Sequence, residues 1–478
     1  MIKFLFVLFS SFFVYASIVW MPDNVAELSL FKSFESRNLF SSSSSQLPLD
    51  AESLLTELSR FDLTLLNEVE KKNWTALVKI LKNEINRPRF IKVQAYSKEL
   101  FRRDLGFEST QDVLQFHRQF DFNQFALSLS LSNDVFNQWK LSDSYFSFSV
   151  FDFDFILGRF KQNWGFGNDA SLFYSHHAPS MLQSTISYSS SNPLWLLGFW
   201  RLRSNFARLD GHEGRVKPYF HGMHILFKPK DYFSFALFRT AMFAGDGRPL
   251  TGKLLWNMFI GQDNFYGDGD PRNEGLTRET EPGNQLAGFE FKFNFDLNGF
   301  EHSTYAQFAG EDLQVFLPSQ YLTLYGIEGF LTRYFYFFER STTYVDSIRG
   351  FSPRQGSAYR NGKYPQGYTH DKRYLGHWAG PDSLIYSFGI FQYPVQEVSS
   401  YMVVRHILSG IYFRSGAGGA AQVNTLMTIG GIFNKENVEF DLSITLDRYL
   451  LPASSINNQI FDSGGISYFA DAKFRYWF

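Results

Sequence analysis

In the run from Phe289 to Leu297, every odd position is apolar (Phe289, Phe291, Phe293, Phe295, Leu297), and the even positions are Glu290, Lys292, Asn294 and Asp296. A period of two cannot be accommodated on a helix; it is the pattern of an extended strand with one apolar and one polar face. The same period recurs from Val438 to Asp447 and from Leu127 to Leu131. A soluble sandwich alternates as well, but its outer face meets water and is rich in Lys. Here the alternating positions are dominated by Phe, and the chain holds 56 Phe, 25 Tyr and 9 Trp in 478 residues.

Export follows from the first residues. Lys3, the apolar stretch Phe4 to Val14, and small Ala16 with Val14 two before it form a secretory signal, residues 1–16, with cleavage expected after Ala16. The apolar stretch falls short of the ~20 residues that a spanning helix needs, and no later window approaches that length. A chain of this kind crosses a membrane only as a closed β-barrel, in which every backbone group is paired between strands. The end of the chain agrees: Phe474, Tyr476 and the final Phe478 share one face, as in the terminal strand of bacterial outer-membrane barrels. With no Cys, disulfides, thiolate metal sites and a lipidated N-terminal Cys are excluded, and a net charge of −2 gives no field for nucleic acid.

Three parts are expected after this reading: the signal, a linker and periplasmic α-helical region over 17–120, and an outer-membrane β-barrel over 121–478. The serine run Ser41 to Ser45 reads as linker. Leu54, Leu55, Leu58, Leu65, Leu66 and Val69, then Trp74, Leu77, Val78 and Leu81, recur at helical spacing, with Asp50 a candidate cap and Pro88 a limit. At ~9–11 residues per spanning strand the barrel has room for about sixteen to eighteen strands, the number being even. An even number returns the chain to its starting side, so the helical region and the C-terminus are both expected in the periplasm.

Six ordered blocks carry a family resemblance. Asn163-Trp164-Gly165-Phe166-Gly167-Asn168-Asp169-Ala170-Ser171-Leu172 resembles the W-G-P-G-x-x-x-S-L segment of the Wzi-type capsule assembly proteins, with Phe166 where that family usually has Pro. The run Arg239 to Pro249 is similar to their R-T-A-x-x-G-G-E-G-R-P block, and Pro282 to Phe289 to their P-G-N-Q-L-A-G-F. Tyr305 to Asp312, Leu317 to Ser319, and Gly376 to Ser383 follow in the family's order, so that the resemblance covers roughly 125–390. It implies an outer-membrane barrel of about 18 antiparallel strands with a periplasmic helical bundle. It also implies a role in attaching capsular polysaccharide to the cell surface, with outer-membrane lipid and the barrel assembly machinery as further partners. Before residue 121 the match is poor.

The residues offer little for catalysis. There is no G-x-S-x-G elbow and no phosphate loop. His176 and His177 are adjacent, so on a strand they would point apart; Asp268, Asp270 and Glu274 depart from calcium-loop spacing. No metal, cofactor or enzymatic activity is expected. Glycan binding is better supplied, since it uses aromatic faces with orienting carboxylates and Arg. The candidates are Phe265, Tyr266, Asp268, Asp270 and Arg272 in one long connection, and Arg360, Tyr364 and Arg373 in another. Glu290, Lys292, Asp296, Glu311 and Asp312 are the expected lumen charges, serving as a lattice of ion pairs or, on the rival reading of a porin or solute channel, lining a pore. A barrel-embedded hydrolase is the remaining alternative.

Overall fold

The computed structural model describes residues 14–22, 25–36, 42–86, 89–96, 113–122, 124–133, 139–212, 217–245, 247–260, 270–271, 277, 283, 285–310, 313–314, 317–318, 320–331, 333–347, 357–395, 398–410, 422–435, 437–450 and 465–478. Eighteen strands close into an antiparallel barrel. They are β1 (Arg89–Tyr96), β2 (Val113–Asp121), β3 (Ala126–Asn133), β4 (Ser144–Val150), β5 (Phe153–Phe160), β6 (Met181–Ser189), β7 (Phe199–Arg208), β8 (Tyr219–Lys230) and β9 (Phe233–Phe243). The circuit continues through β10 (Gln285–Leu297), β11 (Phe300–Gly310), β12 (Gln320–Leu331), β13 (Tyr334–Ser347), β14 (Ser383–Val395), β15 (Val398–Ser409), β16 (Gln422–Lys435), β17 (Val438–Leu450) and β18 (Gly465–Trp477). The last strand pairs with the first, Trp477 opposite Phe90 and Asp471 opposite Tyr96, so no edge is left.

The barrel therefore begins at Arg89 and not at 121. In β1 and β2 the polar positions are crowded with long cationic and amide side chains (Lys92, Gln94, Gln115, His117), which blur the period of two; Gln94 and Gln115 turn inward and are buried, while Val93 and Phe116 face out.

Alternation sets the two faces. On β10, Glu290 and Lys292 are buried in the lumen, and Phe289, Phe291 and Phe293 face outward. Outward Leu182, Ile186, Leu237, Ile429, Leu442 and Ile444 are each about half exposed along the wall. An apolar belt of this extent needs hydrocarbon around it. Phe474, Tyr476 and Phe478 belong to the same outer face. The connections differ at the two ends. β9 to β10 and β13 to β14 are joined by long segments, whereas β10 to β11 turns through Asn298 and Gly299 alone, both at positive φ.

Among the described residues three α-helices precede β1: α1 (Val25–Glu35), α2 (Ala51–Ser59) and α3 (Glu68–Asn86). Asp50 caps α2 by accepting from the Ser53 amide at 2.7 Å. Asn67 and Glu70 form a capping box at the start of α3. Their apolar faces share one core, with Trp20, Phe31, Phe34, Leu54, Leu58, Trp74, Leu77 and Leu81 all buried. Leu30 of α1 packs on the lumen residues Phe335, Phe337, Phe391 and Val403, which places the helices in the barrel mouth at the short-turn end.

The serine run is no linker. Ser42 to Ser45 are buried inside the barrel. Serines lack the apolar bulk that marks a core segment, but they are compact donors, and here they serve buried carboxylates: Ser43 and Ser44 donate to Glu35, each at 2.6 Å, and Ser45 to Glu290.

Candidate functional site

The lumen is filled by a network of ions. Lys292 of β10 lies 2.7 Å from Glu328 of β12 and 3.8 Å from Glu35 of α1. Lys32 of α1 reaches Glu328 at 3.1 Å, Asn168 at 2.9 Å and the Phe166 carbonyl at 2.7 Å. All are buried. Burial works against the charge on Glu35, but Lys292, Lys228 and the two serine hydroxyls outweigh it and hold the carboxyl below its ordinary range. Burial lowers the Lys32 ammonium despite Glu328.

The segment from Asn163 to Asp169 is threaded through this network. Glu339 of β13 accepts from the Asn168 and Asp169 amides and from Tyr305 at 2.6 Å. Glu290 accepts from the Phe166 amide at 3.1 Å, a donor that the family's usual Pro lacks. Gly165 has φ +129°, and a Cβ there would lie 2.3 Å from the Gln307 amide nitrogen. The Asp169 side chain turns to the next two strands, where Arg405 of β15 meets it at 2.6 Å and Ser387 of β14 donates at 2.5 Å. Burial opposes that carboxylate, yet Arg405 and the Ser387 hydroxyl bring it down to about 2. His176 and His177 lie in the loop that follows, not on a strand, with rings 4.1 Å apart.

A layer of tyrosines closes the long-connection end. Tyr359, Tyr364 and Tyr368 are fully buried, donating to the carbonyls of Leu172, Ala244 and Phe173 at 2.9, 2.9 and 2.8 Å. Tyr364 sits beneath Arg248, 5.4 Å from ring to guanidinium, and against Gly283, where a Cβ would meet the ring at 2.0 Å. Burial pushes its hydroxyl up to about 12. Tyr364 is thus packing and not a ligand-facing ring, a correction to the sequence reading: its neighbours in the cap are other loops folded inward. Arg360 is exposed, while Arg373 and Asp270 are half-buried. Phe265, Tyr266, Asp268 and Arg272 lie outside the described residues, as do Glu311 and Asp312. Of the expected lumen charges, Glu290 and Lys292 are brought together in the network, whereas Asp296 is exposed and caps the Gly299 turn at 2.9 Å. Period alone could not tell a mid-strand position from the strand's end. The residues that sequence reasoning missed, Lys32, Glu35, Ser45, Asn168, Asp169, Glu328 and Arg405, come from four stretches of the chain that lie far apart in sequence.

One constellation resembles hydrolase machinery. Ser45 contacts His224 at 3.2 Å and also Glu290. In a nucleophilic triad the acid orients the far nitrogen of the imidazole. Here Glu290 binds the serine, His224 Nδ1 has no partner, and all three are at most 1% exposed. The arrangement fixes the serine and presents nothing to a substrate. Among the described residues no group of three metal-ligating side chains converges.

A model of the family described as "Capsule assembly protein Wzi" matches residues 100–393. A Klebsiella pneumoniae relative, described as an uncharacterized 55.8 kDa protein in the cps region, is 30% identical over 179 residues, 36% of this chain and 33% of that protein. The match thus spans about a third of that relative's length. Among solved structures, Wzi of Escherichia coli, an outer-membrane protein involved in group 1 capsule assembly and a carbohydrate-binding β-barrel, superposes with a TM-score of 0.76 at 17% identity. The superposition covers 97% of this chain and 99% of that one. At that identity the likeness establishes the fold.

Proposed function

The chain belongs to the Wzi family of capsule assembly proteins, and on that premise we propose that it binds capsular polysaccharide at the bacterial outer membrane and helps to hold it on the cell surface, without catalysing a reaction. The observation that carries this reading is the filled lumen: α1, the serine run and the Asn163 to Asp169 segment occupy the space a channel would need, locked by Lys32, Glu35, Lys292 and Glu328. What remains is a face, built from the long connections and backed by the tyrosine cap. Bacterial barrels place long connections outside the cell and short turns in the periplasm, which puts α2, α3 and the C-terminus on the periplasmic side. Cleavage after Ala16 and handling by the barrel assembly machinery belong to the same reading. Exposed Arg360 and Lys372, with Arg373, supply donors on that face, and the Phe265 to Arg272 segment belongs to a long connection at the same end.

Since a polymer repeats its epitope, weak single contacts suffice for retention. The test compares cell-bound with released polysaccharide in a deletion strain complemented by wild type or by Arg360→Ala with Lys372→Ala, at matched barrel levels. More released polymer with the double variant is expected; retention unchanged even in the deletion strain overturns the reading. Steady ion conductance of the purified barrel in planar bilayers would favour a channel instead.

A further inference from the structure

Among the described residues one helix lies on the outside of the barrel. α4 (Gly252–Ile260) belongs to the connection between β9 and β10. Along β9 the even positions face the lumen, Phe238 stacking on Phe173 at 4.5 Å and on His224 at 4.2 Å. The odd positions Phe233, Phe235 and Leu237 therefore face outward, and Leu237 is 48% exposed. Two steps further the same outward row changes: Ala241 and Phe243 are 2% and 1% exposed. They are covered by Leu254 and Met258 of α4, with Leu255 and Tyr219 alongside.

Between the open and covered parts of the row stands Arg239, whose guanidinium donates to the Met258 carbonyl at the end of α4 and to Gln285 at 3.2 Å. An Arg on the lipid-facing side is costly at the midplane and nearly free of cost near the interface, so Arg239 marks where hydrocarbon gives way to headgroups. On the outer side of α4 Trp256 is 61% exposed and Leu250, just before the helix, 49%, with Lys253 of the same helix exposed as well.

We propose that α4 is an interfacial helix that docks on the membrane surface at the long-connection end, with Trp256 and Leu250 entering the boundary between headgroups and acyl chains. The occupant is lipid because the covered row is continuous with the lipid-facing row of β9, and because a short helix that turns a Trp and a Lys outward is suited to lie in that plane. Its consequence is positional: the start of the connection between β9 and β10 is held at headgroup height. The inference rests on the barrel spanning a membrane and not on polysaccharide binding.

The test reads Trp256 directly. Wild type and Trp256→Phe are reconstituted in phosphatidylethanolamine and phosphatidylglycerol vesicles, and the difference between their fluorescence spectra is the Trp256 contribution. With acyl chains brominated near the headgroup, most of that contribution should be lost. If brominated lipid leaves it intact, α4 stands in water and the proposal is overturned, whatever the capsule retention assay shows. Trp256→Phe keeps an aromatic at an exposed site, so folding is preserved, and heat modifiability verifies it.

Discussion

Two walls of the barrel share one sequence pattern and do different things with it. On β8 to β13 the inward polar residues meet other chain segments. Glu290, Lys292, Glu328 and Glu339 are at most 2% exposed and hold α1, the serine run and the Asn163 to Asp169 segment. On β15 to β18 and β1 to β2 the inward polar residues meet mostly one another. Lys473 faces Glu439 at 3.7 Å, Gln94 faces Asp471 at 3.4 Å and Tyr401 faces Asp441 at 3.2 Å, while Asp441, Ser443, Thr445 and Asp471 remain half-exposed. The difference teaches that alternation specifies which face a charge is on, and not what it holds there. A charge that pins a separate segment is dry and holds two parts of the chain together; one paired along the wall, though Lys473 and Glu439 are buried as well, has half-exposed neighbours that water can reach.

The sharpest test of that contrast is Lys292→Ala against Lys473→Ala. The first strands Glu328 and Glu35 without their shared ammonium and is expected to cost about 3–5 kcal/mol, as for other buried pairs broken on one side. Lys473→Ala strands the equally buried Glu439 but breaks a single, longer contact of 3.7 Å beside half-exposed neighbours, so it should cost less, about 1–3 kcal/mol. Thermal midpoints followed by heat modifiability rank the two, and equal losses would erase the distinction between the walls. From alternation alone Phe291 looks the more sensitive of the Phe291 and Lys292 pair. Phe291→Arg, on the lipid face, should cost about 2–4 kcal/mol near the midplane, so the structure places Lys292→Ala at least level with it.

Most of the barrel was legible in advance because a period of two leaves a signal wherever Phe or Leu occupies the outer face, as in β10 and β17. The resemblance blocks, from Trp164 to Ser383, fall within the matched 100–393. What escaped was whatever period does not encode. β1 and β2 hid behind Lys, Gln and His. The serine run has no pattern of its own, and its meaning depends on carboxylates supplied by Glu35 and by a strand 245 residues away from Ser45. Tyr364 has the composition of a sugar-binding residue, and only the fold shows Arg248 and Gly283 closing over it.

Arg405 joins the walls, so it tests whether they behave as one unit. Arg405→Ala should release the Asp169 loop and cost about 3 kcal/mol. The same contact predicts acid sensitivity. The folded carboxyl of Asp169 titrates near 2, below its unfolded value, so its contribution is complete above about pH 4 and is lost as pH falls from there through 2. Unfolding profiles between pH 5 and 2 should be flatter in Asp169→Asn than in wild type; parallel profiles would show that the latch carries no charge.

The smallest expected effect has the opposite sign and comes from a carboxylate at the start of α2. Asp50 caps α2, and burial followed by the nearby Asp154 pushes its carboxyl up to about 7. A folded value above the unfolded one means that the native state holds the extra proton, so stability declines as pH rises from about 4 to 7 and stays level beyond. Asp50→Asn retains a side-chain oxygen for the Ser53 amide and removes the charge that burial disfavours. The gain is limited, since the ionised form already accepts from Ser53 and the Ser17 hydroxyl and favours the helix N-terminus. A net stabilisation on the order of 1 kcal/mol at pH 8, vanishing near pH 4, is expected. Melting both proteins across that range decides it: a variant less stable at pH 8 would mean that Asp50 is held as an anion, and that the helices in the barrel mouth, like the locked wall, balance their charges in pairs.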